Sequence, residues 1–202
     1  MTKGFLNTAY TARTAAQTRD LYDDWSASYD AEIAENGYAT PRRCAQALAA
    51  RMDDLTAPIL DFGCGTGLSG LALKLAGFET IDGLDLSAEM LAEAGKKDVY
   101  RTLAQIGPDT PLPHAPGDYA AIAAIGVIGA APISVLDTLM NGLASGGKLV
   151  FSLNDHALAV PENEARVNEW LDCGAARLLS KEYGDHLPGI DLKSNVYILE
   201  KA

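Results

Sequence analysis

The run Pro58-Ile59-Leu60-Asp61-Phe62-Gly63-Cys64-Gly65-Thr66-Gly67-Leu68-Ser69-Gly70 decides the fold of this chain. Pro58 to Phe62 is apolar except for Asp61 and reads as a buried strand. Gly63 to Gly67 carries three glycines, a turn whose backbone can pass close to a ligand without a Cβ in the way. Leu68 to Ala76 reads as a helix closed by Gly77. Strand, glycine-rich turn and helix in succession open a βαβ unit.

The same alternation continues downstream. Thr80 to Leu84 reads as a second strand, weakened by Gly83, and Ser87 caps a helix to about Ala94 with Met90 and Leu91 on its apolar face. Val99 to Ile106 is a third strand candidate, and Gly107 to Pro116, with four prolines, is a loop. Tyr119 to Ile125 is a strongly apolar fourth strand. Ile133 to Leu143 is a helix ended by Gly146-Gly147, Lys148 to Leu153 a fifth strand, and Glu162 to Asp172 a helix. Ala176 to Tyr183 and Asn195 to Glu200 are the last two strands, with a Gly/Pro/Asp-containing loop and no helix between them. The pattern predicts a doubly wound α/β fold: a mostly parallel seven-stranded sheet with helices on both faces and a C-terminal antiparallel hairpin at or near its edge.

Upstream, the chain reads as helices. Leu21, Trp25, Ser28 and Tyr29 recur at helical spacing, Asn36-Gly37 is a stop, and Thr40-Pro41 is a fresh N-cap with proline in the first turn. A further helix runs from Arg42 to about Asp53. The expectation is a single domain over residues 1–202, with an N-terminal helical cap over 1–54 and a Rossmann-like core over 55–202.

Charge and composition narrow the function. The 202 residues hold 16 Lys+Arg against 27 Asp+Glu, a formal net charge of −11. That balance argues against a nucleic-acid partner, which calls for a basic face. No apolar run is long enough to span a membrane, and the N-terminus lacks the apolar core of a signal peptide. The three cysteines, Cys44, Cys64 and Cys173, are far apart and form no CxxC pair, so no metal is expected and a reduced cytoplasmic setting is the default. The oligomeric state is open.

Gly65 to Gly70 also matches G-x-G-x-x-G, and Asp85 lies twenty residues after Gly65, where a ribose-binding carboxylate would sit. Two cofactors are therefore open: a nicotinamide dinucleotide and S-adenosylmethionine. Three features favour the second. The first glycine after the strand is Gly63 rather than Gly65, so the spacing differs. Asp61, two residues earlier, would suit a cationic ammonium and repel a pyrophosphate. The C-terminal hairpin is unlike the second nucleotide-binding half of a dehydrogenase.

The run Ile59 to Gly67 resembles the first motif of class I S-adenosylmethionine-dependent methyltransferases, and Gly83-Leu84-Asp85-Leu86-Ser87 with Met90-Leu91 resembles their second. Tyr22-Asp23-Asp24-Trp25-Ser26-Ala27-Ser28-Tyr29-Asp30 and Gly37-Tyr38 are similar to the methyltransferase-like protein 27 group. The resemblance implies roles. Asp61 and the backbone N–H groups of Gly63, Cys64, Gly65 and Gly67 would address the methionine end of S-adenosylmethionine, and Asp85 the ribose hydroxyls. Leu86 and Met90 would pack on the adenine, with Gln105 and Ile106 at its edge, although relatives often carry an Asp here. Ile125 and Gly126 would lie beside the sulfonium, and Tyr22 and Tyr29 would close the site from the cap. Cys64 is a small packing residue rather than a nucleophile, and Tyr38 is an acceptor-pocket candidate by position.

His156, after the fifth strand, is the candidate general base; His114 and His186 sit in loops with no evident partner. The expected activity is methyl transfer to a small-molecule acceptor. The alternatives are an NAD(P)-dependent oxidoreductase and a protein methyltransferase or non-catalytic cofactor-binding protein.

Overall fold

The computed structural model describes residues 14–108 and 110–202, so the reading of the first thirteen residues and of Asp109 lies outside it. The strands are β1 (Ile59–Phe62), β2 (Ile81–Asp85), β3 (Thr102–Gln105), β4 (Ala121–Ala124), β5 (Lys148–Asn154), β6 (Ala176–Leu187) and β7 (Leu192–Lys201). They form a seven-stranded sheet in the order β3-β2-β1-β4-β5-β7-β6. β1 pairs in parallel with β2 and β4, and β7 is antiparallel to both β5 and β6. The chain winds outward from β1 in both directions. The crevice at the carboxyl ends of β1 and β4 is therefore the switch point where such folds bind ligands.

The helices are α1 (Ala15–Glu35), α2 (Thr40–Ala49), α3 (Leu68–Leu75), α4 (Ala88–Gly95), α5 (Val135–Asn141), α6 (Asp155–Leu158) and α7 (Pro161–Asp172). The period-2 alternation of the strands divides the core. Ile59, Ile81, Ala123, Val150 and Ile198 pack with Cys44 and Leu48 of α2 and Leu73 of α3. Leu60, Ile122, Phe151 and Leu199 pack on the other face with Leu136 and Leu139 of α5. All of these are buried, so both faces of the sheet exclude water, as a doubly wound sheet requires. A third cluster joins Trp25 and Ile33 of α1 to Leu187 and Leu192 of the hairpin. The α1 helix is thereby seated over the crevice.

The structure corrects several local readings. Thr40 is the first helical residue of α2 rather than its cap, which is Ala39, and α2 ends at Ala49. Its hydroxyl is buried against His186 and Ser194 instead of capping the helix. The hairpin strands are longer than predicted: β6 runs through Gly184 to Leu187, and only a short 3-10 turn, Pro188–Ile190, separates it from β7. Gly83 does not weaken β2. A Cβ there would lie 2.6 Å from Leu103 Cδ2 and 2.9 Å from Cys64 Sγ, so its bareness is what lets these side chains pack.

Candidate active site

The glycine-rich turn is fixed by its own hydrogen bonds. Gly63 and Cys64 donate their backbone N–H groups to Leu84 O at 2.7 and 3.0 Å, and Gly67 donates to Cys64 O at 2.8 Å. Gly65 N–H donates to Asp85 Oδ2 at 2.8 Å, and Ser87 N–H donates to Asp85 Oδ1 at 2.9 Å. Gly65 holds φ +53°, and a Cβ built on it would meet nothing within 4 Å, so the turn opens there onto free space. These four N–H groups already have partners. Gly63, Cys64 and Gly65 thereby tie the turn to β2, and Gly67 closes the turn on itself.

Gly70, which completed the dinucleotide-like spacing, has a different task. A Cβ on it would fall 2.2 Å from the Tyr100 ring, and its N–H donates to the Tyr100 hydroxyl at 3.1 Å. The third glycine is therefore a packing requirement of Tyr100, and the G-x-G-x-x-G match does not imply a pyrophosphate site.

Asp61 is also placed differently from its expectation. It is fully buried behind the turn, outside the cavity wall, and accepts from Ser69 Oγ at 2.6 Å and Tyr100 OH at 2.7 Å, both on Oδ2. Its Oδ1 is buried with no hydrogen-bond partner among the described residues. Burial lifts the Asp61 carboxyl to about 6, against the pull of those two hydrogen bonds. Burial and the neighbouring Asp61 hold the Cys64 thiol well above its usual range, so it is no nucleophile.

In front of the turn lies a cavity of about 780 Å³, within the range of small-molecule sites. Asp85 projects into it from the end of β2, beside Leu86, Met90 and Ile106. Burial raises the Asp85 carboxyl, while its backbone hydrogen bonds from Ser87 and Gly65 oppose the shift. Gly63, Cys64 and Gly65 form the floor, Ile125 and Gly126 the β4 side, and Tyr22 and Tyr29 reach in from α1. Gly67 is buried and outside the wall. Gln105 is exposed, outside the wall, and donates Nε2–H to Leu86 O at 2.8 Å, so it braces Leu86 rather than meeting a ligand. His156 is exposed on α6 and does not line the cavity, which removes the geometric basis for its role as general base.

The sequence reading gave no site role to Thr18, Arg19 or Phe62, and all three line the cavity. Tyr38 lines it too, and its hydroxyl sits where a Cβ on Gly126 would be, 2.5 Å away. The cap is latched to the turn. Thr66 Oγ1 donates to Asp30 Oδ1 at 2.5 Å, while Lys97 Nζ donates to Asp30 Oδ2 at 2.7 Å and to Thr66 O at 2.6 Å. Among the described residues there is no cluster of His, Cys, Asp and Glu fit to hold a metal, and no helix long and apolar enough to cross a membrane.

Residues 59–147 match the family described as methyltransferase domain. That match spans less than half of the chain and, together with the strand order, likens it to methyltransferases. The human Methyltransferase-like protein 27 is 33% identical to it over 117 residues, 56% of this chain and 47% of that protein. The chain thus spans about half the length of the curated relative it matches. Among solved structures, the cyclase SpnF superposes with a TM-score of 0.70 at 16% identity, covering 94% of this chain and 97% of that one. Magnesium protoporphyrin IX methyltransferase from Synechocystis, with S-adenosylmethionine bound, superposes at 0.60 and 15% identity, covering 98% and 90%. At such identities these likenesses speak to the fold.

Proposed function

We propose that this protein transfers a methyl group from S-adenosylmethionine to a small-molecule acceptor by in-line displacement, working as one domain in which residues 1–54 cap the core. The observation that carries the reading is Asp85. Its carboxylate stands at the end of β2 on the cavity wall, with both oxygens steered by backbone N–H groups.

The residues present fit the cofactor. Asp85 keeps a lone pair on each oxygen for the two ribose hydroxyls, a charge-assisted pairing. Leu86, Met90 and Ile106 offer an apolar slot beside it for the adenine. The open space at Gly65 admits the chain that leads to the methionine end, and the orphaned Oδ1 of Asp61 behind the turn favours positive charge nearby. Tyr22 and Tyr29 close over the site from α1.

When bound, S-adenosylmethionine supplies a methyl group already activated by the sulfonium charge. What this chain contributes is position: β1, β2 and β4 hold one reactant, and the cap confines the other against Gly126. An amine or thiolate acceptor needs no strong base, which suits a cavity wall without His156. The matched family and the human relative support methyl transfer. The likeness to a cyclase makes a direct test of turnover necessary. The free cysteines suit a reducing cytoplasm.

Thermal-shift titration separates the readings. S-adenosylhomocysteine should raise Tm, and NAD and NADP should leave it unchanged; the reverse pattern refutes the proposal. Steady release of S-adenosylhomocysteine over a metabolite panel, with no label entering protein, would establish turnover on a small acceptor.

A further inference from the structure

A buried polar chain leads from α2 to the cap side of the cavity. Arg43 donates from Nη1 to Ser194 Oγ at 3.0 Å and to the carbonyls of Asp185 and Ser194, and from Nη2 to Glu182 O. Ser194 Oγ lies 3.1 Å from Thr40 Oγ1, which lies 2.8 Å from His186 Nδ1. Thr40 and Ser194 are fully buried and His186 is nearly so.

The proton direction along this chain is fixed by its ends. Arginine only donates, so the Ser194 oxygen accepts from it. The Ser194 proton then has Thr40 Oγ1 as its partner, and the Thr40 proton goes to His186 Nδ1. Run the other way, a buried hydroxyl proton on Ser194 would be stranded. Burial, with Arg43 nearby, lowers the imidazole to about 4 against the opposing pull of Asp155. A neutral ring that accepts at Nδ1 carries its proton on Nε2.

The His186 ring lines a small chamber of about 50 Å³, room for a few water-sized groups. The chamber shares Tyr22, Tyr29, Tyr38 and Gly126 with the larger cavity. Asn154 is on its wall as well. The Asn154 Oδ1 caps α6 by accepting from Ala157 N–H at 3.0 Å, which leaves the amide NH₂ as the remaining polar group of that side chain. The His186 Nε2 has no hydrogen-bond partner among the described residues.

We propose that this chamber is the acceptor subsite, and that the N–H donors of His186 and Asn154 select an acceptor whose non-reacting end is a carboxylate. The inference rests on the methyl-transfer reading above. Two N–H donors complement an oxyanion and give nothing to accept from an ammonium, which brings only donors of its own. The cation of Arg43, two hydroxyls behind His186, favours the same sign of charge. Gly126 ties the chamber to the end of β4, so a molecule anchored at His186 reaches into the cavity where the other reactant is held.

The test uses the whole chain labelled with ¹⁵N-histidine, with and without S-adenosylhomocysteine, and benzoate and benzylamine as probes. The expected spectrum shows His186 in the Nε2–H tautomer and neutral at physiological pH. Benzoate should shift its Nε2 resonance in a saturable way, and benzylamine should not. An Nδ1–H tautomer, an unmoved Nε2 signal in benzoate, or a response to benzylamine instead would overturn the inference. Asn154→Asp keeps the cap of α6 but replaces a donor by an acceptor; it should abolish the benzoate response while leaving the fold intact, and a retained response would count against the proposal. Calorimetric binding of S-adenosylhomocysteine to the same sample reports separately on the cofactor reading, so the two can fail independently.

Discussion

The Tyr100 hydroxyl donates to the buried Oδ2 of Asp61 at 2.7 Å, joining the segment before β3 to the carboxylate that ends β1. Asp61 carries its charge behind the site rather than in it, and that has a cost that depends on pH. Burial raises its carboxyl to about 6, so the folded state favours the protonated form. The resulting stabilisation is fully present below the ordinary carboxylate pKa and is lost as pH rises through about 6. From the shift, the loss is at most about 3 kcal/mol above that pH. Asp61→Asn should therefore be more stable than the parent in urea unfolding at about pH 8, by roughly 1–3 kcal/mol, and the advantage should vanish near pH 4. Equal differences at both pH values would contradict the assignment.

Asp85 should behave in the opposite manner, with its substitution felt in binding. Asp85→Ala removes the ribose acceptor and also strands the N–H groups of Gly65 and Ser87. Losing hydrogen bonds to a charged group costs about 2 kcal/mol, or about thirtyfold in Kd. Isothermal calorimetry with S-adenosylhomocysteine checks this, and an unchanged affinity would refute the ribose role.

The close approach of Gly70 to Tyr100 predicts a specific rescue. Gly70→Ala should destabilise the protein by about 2 kcal/mol, lowering Tm by about 4–8 °C, because the new methyl overlaps the ring. In a Tyr100→Ala background the same substitution should cost much less. A double-mutant cycle measures the coupling, and additive effects would mean the clash is not the cause.

The latch between α1 and the turn should govern how long a ligand stays. Lys97 is largely buried and bridges Asp30 to the Thr66 carbonyl. Lys97→Met should speed S-adenosylhomocysteine dissociation several-fold while leaving its association rate nearly unchanged, since most interface substitutions act on the off-rate. Stopped-flow displacement would show this. A change confined to association would argue that α1 plays no part in retention.

The sheet was legible because its signals are local. Ile59 to Phe62, the three glycines and Leu68 announce strand, turn and helix within ten residues, and Tyr119 to Ile125 is apolar enough to be nothing but a central strand. Asp85 could be placed by its distance from Gly65, and Met90 and Ile106 by the resemblance of the surrounding motifs to methyltransferases. What escaped was set by distant partners. Thr40 looked like a helix cap because its partner, His186, lies far along the chain. Gly83 looked like a weakness because nothing nearby in sequence tells that Leu103 and Cys64 need its space. Gly184 and Pro188 read as breakers and shortened the predicted hairpin. In the structure, Gly184 leaves room for the Arg43 guanidinium, 3.0 Å from where its Cβ would be. His156 was a candidate base only because it follows a strand, and the short α6 carries it out to solvent.

The inward commitment of the turn amides means that the receptor has its shape before anything arrives. The entropy of ordering that segment is spent when the chain folds, and an incoming nucleoside meets a rigid mould rather than assembling one. A diphosphate would have to pry those amides away from the Leu84 carbonyl and the Asp85 carboxylate to be held, so discrimination among nucleotides would rest on main chain and side chain together.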